Sequence, residues 1–359
     1  MVNKKLLENT VREMVGPGKV IMAMDESTGT MNGRLQKVGM DPTVESAEAW
    51  RELIVTAPDL TGVGAAILYE GTVDQKVDGT PVHEILAERG IVPGVKLDQG
   101  KVPVIKPYDE NNTIGLDTLH EKLEEHGGAI RFAKWRSEFV IGPYTPTRQA
   151  IDANTIGLKQ FVIACQEHDV VPIFEPEVLI KGDHDIYRAF RVNQRVLSAV
   201  FEALDEAGAY LPGAILKASF VTPGSTHRRL VDHGTYTEGY AEPEEVAKAT
   251  IDCWTYGGIV PTDLGAGVFL SGGLSDIDAV RNLDAVNKLG NEVGAPWILS
   301  ASFGRAEIGE ALEHWRGDPA YVAEAQAILN ERTAACGLAR DGKLPDGFRY
   351  ERTARQVGR

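Results

Sequence analysis

GAILKASFVTPG (213–224) sets one lysine, Lys217, inside an apolar run. Ile215, Leu216, Phe220 and Val221 read as a short buried strand, bounded by Pro212 and Gly213 before it and by Pro223 and Gly224 after it. Taking an ammonium out of water is costly even after the protein relaxes. A lysine in such a place is therefore paired, snorkelling from the strand end, or chemically employed. Its late position also bears on the fold, because parallel α/β barrels gather functional residues at the C-terminal ends of their strands.

The same pattern recurs along the chain. Apolar runs stand at KVIMAMDES (19–27), GAAILYEG (64–71), IVPGVKLDQG (91–100), AIRFAKWR (129–136), VVPIFEPEVL (170–179), GAILKASFV (213–221), GVFLSGG (267–273) and WILSASFGR (297–305). Most gaps between them carry helical periodicity, clearest where Ile186, Phe190, Val196, Val200, Phe201 and Leu204 recur at three- to four-residue steps before Gly208. Eight strands alternating with helices predict an α/β fold, a (β/α)8 TIM barrel. An open doubly wound sheet fits less well, since no G-x-G-x-x-G follows the first strand and polar residues come late in almost every strand. The barrel is expected over 1–335 as a single domain. Residues 336–359 are expected to form a flexible C-terminal tail, and 222–243 a long, polar, glycine-rich connection.

Composition narrows the function. The chain has 359 residues and a formal charge of −15, which argues against nucleic acid or an anionic membrane as the main partner. No apolar run is long enough to cross a bilayer, and MVNKKLLENT lacks a signal-type apolar stretch, so a cytoplasmic protein is expected. Cys165, Cys253 and Cys336 are widely spaced and odd in number, as suits reduced thiols.

The late strand positions hold Asp25, Lys96, Lys134 with Arg136, Glu175 with Glu177, Lys217, then Ser271, Gly272 and Gly273, and finally Ser302, Gly304 and Arg305. Residues two apart share a strand face, so these groups are expected to converge at one mouth. Any one buried charge is explained by structure, but charges of both signs on most strands are not, because apolar replacements would be about as stable. At lysine's ordinary pKa only about one in 2,500 side chains is neutral at pH 7, and desolvation beside a second cation favours the neutral, nucleophilic amine. Lys217 is the candidate nucleophile and Lys134 the neighbouring cation, although the residues alone leave the two roles exchangeable. Asp25, Glu175 and Glu177 supply carboxylates for proton transfer, Glu177 equally well as an ion-pair partner. The SGG and SFGR loops, with Arg305, suit a phosphate. Ser27 and Thr30, opposite Lys96, form a second anionic subsite, which together imply a substrate phosphorylated at both ends.

These residues stand in motifs. MAMDESTG, GVKLDQG, FAKWR, VPIFEPEVL, GDHD, ILKASFVTPG, FLSGG and SFGRA occur in an order that resembles class I fructose-1,6-bisphosphate aldolase over about residues 10–335. The resemblance implies a barrel with a lysine Schiff base, no metal and no cofactor, acting on a sugar bisphosphate as a homo-oligomer, commonly a tetramer. It implies Lys217 as Schiff-base nucleophile, Glu175 as acid and base at the carbinolamine, and Asp25 as acceptor of the C4 hydroxyl proton. Lys134 would assist carbinolamine formation, and Glu177 would hold the charge network. Ser271, Gly272, Gly304 and Arg305 would bind the 1-phosphate, with Ser27, Thr30 and Lys96 near the 6-phosphate. The chain departs from the animal pattern in having Gly33 rather than lysine before Arg34, Ala-Ser-Phe after Lys217, and RQVGR with no terminal tyrosine. Alternatives are another Schiff-base aldolase or transaldolase, a metal-dependent enzyme using GDHD (182–185), and a scaffold that keeps the fold without catalysis. GDHD reads more readily as a loop capping the next helix.

Overall fold

Valine, isoleucine, leucine and alanine fill the strand runs because an all-parallel sheet is covered on both faces. The computed structural model describes residues 2–105, 108–232, 235–239 and 241–355. In it the eight runs form β1 (Val20–Met24), β2 (Val63–Leu68), β3 (Val92–Lys96), β4 (Phe132–Phe139), β5 (Val171–Val178), β6 (Ile215–Ser219), β7 (Ala266–Leu270) and β8 (Leu299–Phe303). They close into one parallel barrel in sequence order, β8 meeting β1 with Ile21 opposite Ser302.

The two-residue strand period divides the core. Val20, Met22 and Met24 belong to the outer layer packed under the helices, whereas Ile21, Ala65, Val92, Phe132, Ile173, Ile215 and Val268 form the barrel interior. Leu7, Val11 and Met14 of helix Lys4–Val15 join that inner layer and stopper the N-terminal end. Gly94 makes room for it, since a Cβ there would lie 2.4 Å from the Phe132 ring. Along β4, β5 and β6 the inward positions pass from apolar to charged: Phe132, Lys134, Arg136; Ile173, Glu175, Glu177; Ile215, Lys217. With one end plugged, the charges collect at the other.

Several boundaries differ from those expected. β3 ends at Lys96, and Lys101–Ile105 pairs with Glu110–Thr113 as a hairpin beside the mouth. β4 runs three residues past Arg136, placing Glu138 in register with Glu177. Within 222–243, Arg228–Asp232 pairs antiparallel with Thr235–Glu238. The boundary expected at 335/336 falls inside helix Val322–Arg340, and the flexible tail is corrected as far as residue 355. Leu344 is buried, Arg281 donates to the Phe348 carbonyl, and Arg332 donates to the Arg352 carbonyl while its guanidinium lies 3.6 Å over the Tyr350 ring. Arg281 and Arg332 hold this segment together with Leu344, Phe348 and Tyr350, which pack on the core; residues 356–359 lie outside the described ones.

Candidate active site

The open end of the barrel encloses a cavity of about 720 Å³. Asp25, Ser27, Thr30, Arg34, Lys96, Lys134, Arg136, Glu175, Glu177, Lys217, Ser271, Gly272, Ser302, Gly304 and Arg305 all line it, whereas Gly273 stands just outside. Gly272 and Gly273 carry φ of 51° and 97°, a turn that a side chain would strain.

At the centre two lysines face the same carboxylates. Lys134 Nζ lies 2.9 Å from Glu175 Oε2, 3.1 Å from Asp25 Oδ2 and 3.9 Å from Asp98 Oδ2. Lys217 Nζ lies 3.4 Å from Glu175 Oε1. Both lysines and Glu175 are almost wholly buried. Burial alone would pull the Lys134 pKa down, but Asp25, Glu175 and Asp98 outweigh it and hold that pKa above the ordinary lysine value. Burial likewise opposes ionisation of Asp25 and Glu175, and Lys134 followed by Lys217 overcomes it, keeping both carboxyls below their usual range. Lys134 is thus a cation enclosed by three carboxylates.

Around this centre runs a ring of ion pairs. Arg136 donates through Nε to Glu177, and its Nη1 lies 2.7 Å from Glu138 Oε1. Lys101 reaches Glu138 at 2.5 Å, and Lys96 reaches Asp98 at 2.8 Å. Arg34 pairs with Glu26. Burial, more than Arg136 can offset, raises the Glu177 pKa, and burial against Arg34 does the same for Glu26. Sequence reasoning missed Glu26, Asp98, Lys101 and Glu138. Two of them were within reach: Asp98 lies two residues after Lys96, and Glu138 two after Arg136, hence on its face of a longer β4.

Each loop proposed for phosphate leads into a helix. Gly304 stands at the N-cap of helix Arg305–Trp315. Ser27 caps helix Thr28–Lys37, its Oγ accepting from the Thr30 amide at 3.5 Å. Helix N-termini favour anions through their free N–H groups and dipole. GDHD has a structural use: Asp185 Oδ1 accepts from the Arg188 amide at 2.7 Å and caps helix Ile186–Glu206.

A family model described as fructose-bisphosphate aldolase class-I matches residues 6–357. A probable fructose-bisphosphate aldolase class 1 of Xanthomonas campestris is 42% identical over 341 residues, 94% of this chain and 98% of its own. The cytosolic fructose-bisphosphate aldolase 5 of Arabidopsis thaliana is 40% identical over 347 residues, 95% of this chain and 92% of its own. Among solved structures, a fructose-bisphosphate aldolase from Plasmodium falciparum, in complex with TRAP and a small-molecule inhibitor, superposes with a TM-score of 0.88 at 36% identity, over 95% of this chain and 96% of that one.

Proposed function

The chain belongs to the class I fructose-bisphosphate aldolase family, and from that premise we propose that Lys217 is the amine through which it works. The reaction is the reversible aldol cleavage of fructose 1,6-bisphosphate to dihydroxyacetone phosphate and glyceraldehyde 3-phosphate by way of a lysine Schiff base, a step of glycolysis.

The observation that carries the assignment is the unequal setting of the two lysines. Lys134 is enclosed by three carboxylates, whereas Lys217 has one at 3.4 Å, shared with Lys134. A proton passed from Lys217 to Glu175 leaves a neutral amine that adds to the C2 carbonyl. Glu175 returns the proton to the carbinolamine hydroxyl, which departs as water and leaves an iminium on Lys217. Asp25 then takes the C4 hydroxyl proton, the C4–O electrons form the aldehyde, and the C3–C4 pair flows into the iminium. Glyceraldehyde 3-phosphate leaves first. Protonation of the enamine at C3 by water or Glu175, then hydrolysis of the iminium, frees dihydroxyacetone phosphate.

Lys134 keeps its charge throughout and positions Asp25 and Glu175, while Glu177 holds Arg136. In this reading Ser271, Gly272, Gly273, Ser302, Gly304 and Arg305 receive the 1-phosphate, and Ser27, Thr30, Arg34, Lys96 and Arg136 serve the 6-phosphate. The protein works without metal or cofactor in the cytoplasm as a homo-oligomer, a tetramer by the family resemblance; among the described residues no helix is long and apolar enough to cross a membrane. The test is cleavage of fructose 1,6-bisphosphate by purified protein in excess chelator, which Lys217→Met reduces by at least about 10⁴-fold. Activity lost to chelator, or surviving in Lys217→Met, overturns the reading.

A further inference from the structure

The mouth is not electrostatically symmetric. Strands β3, β4 and β5 are consecutive in the barrel and lie across the mouth from β7 and β8. On the β7–β8 side Arg305 is exposed, and among the described residues no carboxylate is paired with it. On the β3–β5 side Lys96, Lys101 and Arg136 are matched by Asp98, Glu138 and Glu177 in the same cavity. Glu138 is the hub. Its carboxylate holds Lys101 at 2.5 Å and Arg136 Nη1 at 2.7 Å, while Glu177 takes Arg136 Nε. The flat guanidinium fork that would clasp a phosphate in a bidentate way is therefore already engaged on two of its three nitrogens.

We propose that Glu138 blunts the distal phosphate subsite, so that this aldolase selects ketose 1-phosphates as a class and gains little from a second phosphate at the far end. The inference rests on the preceding reading of which end of the mouth receives the 1-phosphate. A distal phosphate dianion that draws on Arg136 or Lys101 must displace the Glu138 carboxylate from them or lie beside it, and like charges that close repel. The proximal phosphate meets no such competitor at Arg305. The sequence places the device on one residue, two after Arg136 on the same strand face.

The test compares kcat/KM for fructose 1,6-bisphosphate with that for fructose 1-phosphate. A phosphate held by an unengaged arginine is worth on the order of a hundredfold. The wild-type ratio is expected to stay under about tenfold, and Glu138→Gln to raise it at least about fivefold by freeing Arg136 and Lys101. Glu138→Val, an apolar β-branched choice suited to a strand, serves as a second variant should the glutamine form fold poorly. A wild-type ratio above about tenfold, or a ratio unmoved in both variants, overturns the proposal. Borohydride trapping of dihydroxyacetone phosphate, which does not reach the distal end, separates the two levels. Trapping at Lys217 with an unmoved ratio sinks this inference alone, and no trapping at Lys217 sinks it together with the reading on which it rests.

Discussion

Lys134 is held by Asp25, Glu175 and Asp98, so removing its charge strands three carboxylates at once. Lys134→Met is expected to destabilise the fold by about 3 to 5 kcal/mol at pH 7. Asp25 and Glu175 have folded pKa values below their unfolded ones, so the stability they contribute is present above the unfolded values near 4 and lost as pH falls. The gap between wild type and Lys134→Met, measured by urea unfolding, should narrow as pH drops below about 4; a gap that widens there contradicts the cage. Glu307 works in the opposite sense. It is fully buried on the first turn of helix Arg305–Trp315, neither carboxylate oxygen has a hydrogen-bond partner, and burial, only partly countered by Lys217, raises its pKa well above the usual range. Its raised folded pKa means stability is fullest below the unfolded value near 4.3 and declines as pH climbs toward the folded value. Glu307→Gln removes a slope of up to about 1.4 kcal/mol per pH unit, so the variant gains on wild type as pH rises above about 4.3. Parallel stability curves would show that Glu307 does not titrate differently in the two states.

At the scale of elements, the strands were legible because burial on both faces writes a continuous apolar run, and inward charge follows from the two-residue period. That logic located Lys134, Arg136, Glu175, Glu177 and Lys217 in one cavity. It stopped β4 at Arg136 because Ser137 and Glu138 are polar, yet Ser137 is buried and Glu138 pairs across to Glu177. Pairing with a neighbouring strand extended the element where composition did not. The tail failed for a related reason: the fastening partners Arg281 and Arg332 lie roughly 70 and 20 residues upstream, and a guanidinium on a tyrosine ring is invisible to an apolar count. Tyr350 is packed there and does not line the mouth. Deleting residues 346–359 is therefore expected to change the cleavage rate by less than about threefold, under about 1 kcal/mol of barrier. The same deletion should cost about 2 to 4 kcal/mol of stability by uncovering Arg332. A hundredfold loss of cleavage with Schiff-base formation intact would return the enamine protonation to the tail.

Across the whole molecule, one arrangement accounts for both fold and chemistry: helix Lys4–Val15 seals one end of the barrel with apolar layers, and the other end is left to charge. The barrel fixes Lys217 and Lys134 on strands two apart, β6 and β4, with Glu175 on β5 between them. Neither lysine can be judged without the other two strands, which is why the sequence left their roles exchangeable and their carboxylate counts separate them. The central claim is that the less enclosed amine, Lys217, forms the covalent bond. Reducing the wild-type protein with borohydride in the presence of dihydroxyacetone phosphate, then mapping the modified peptide, tests it most directly. The account predicts one triose phosphate adduct, on the peptide carrying Lys217. An adduct on Lys134, or on neither lysine, would contradict it.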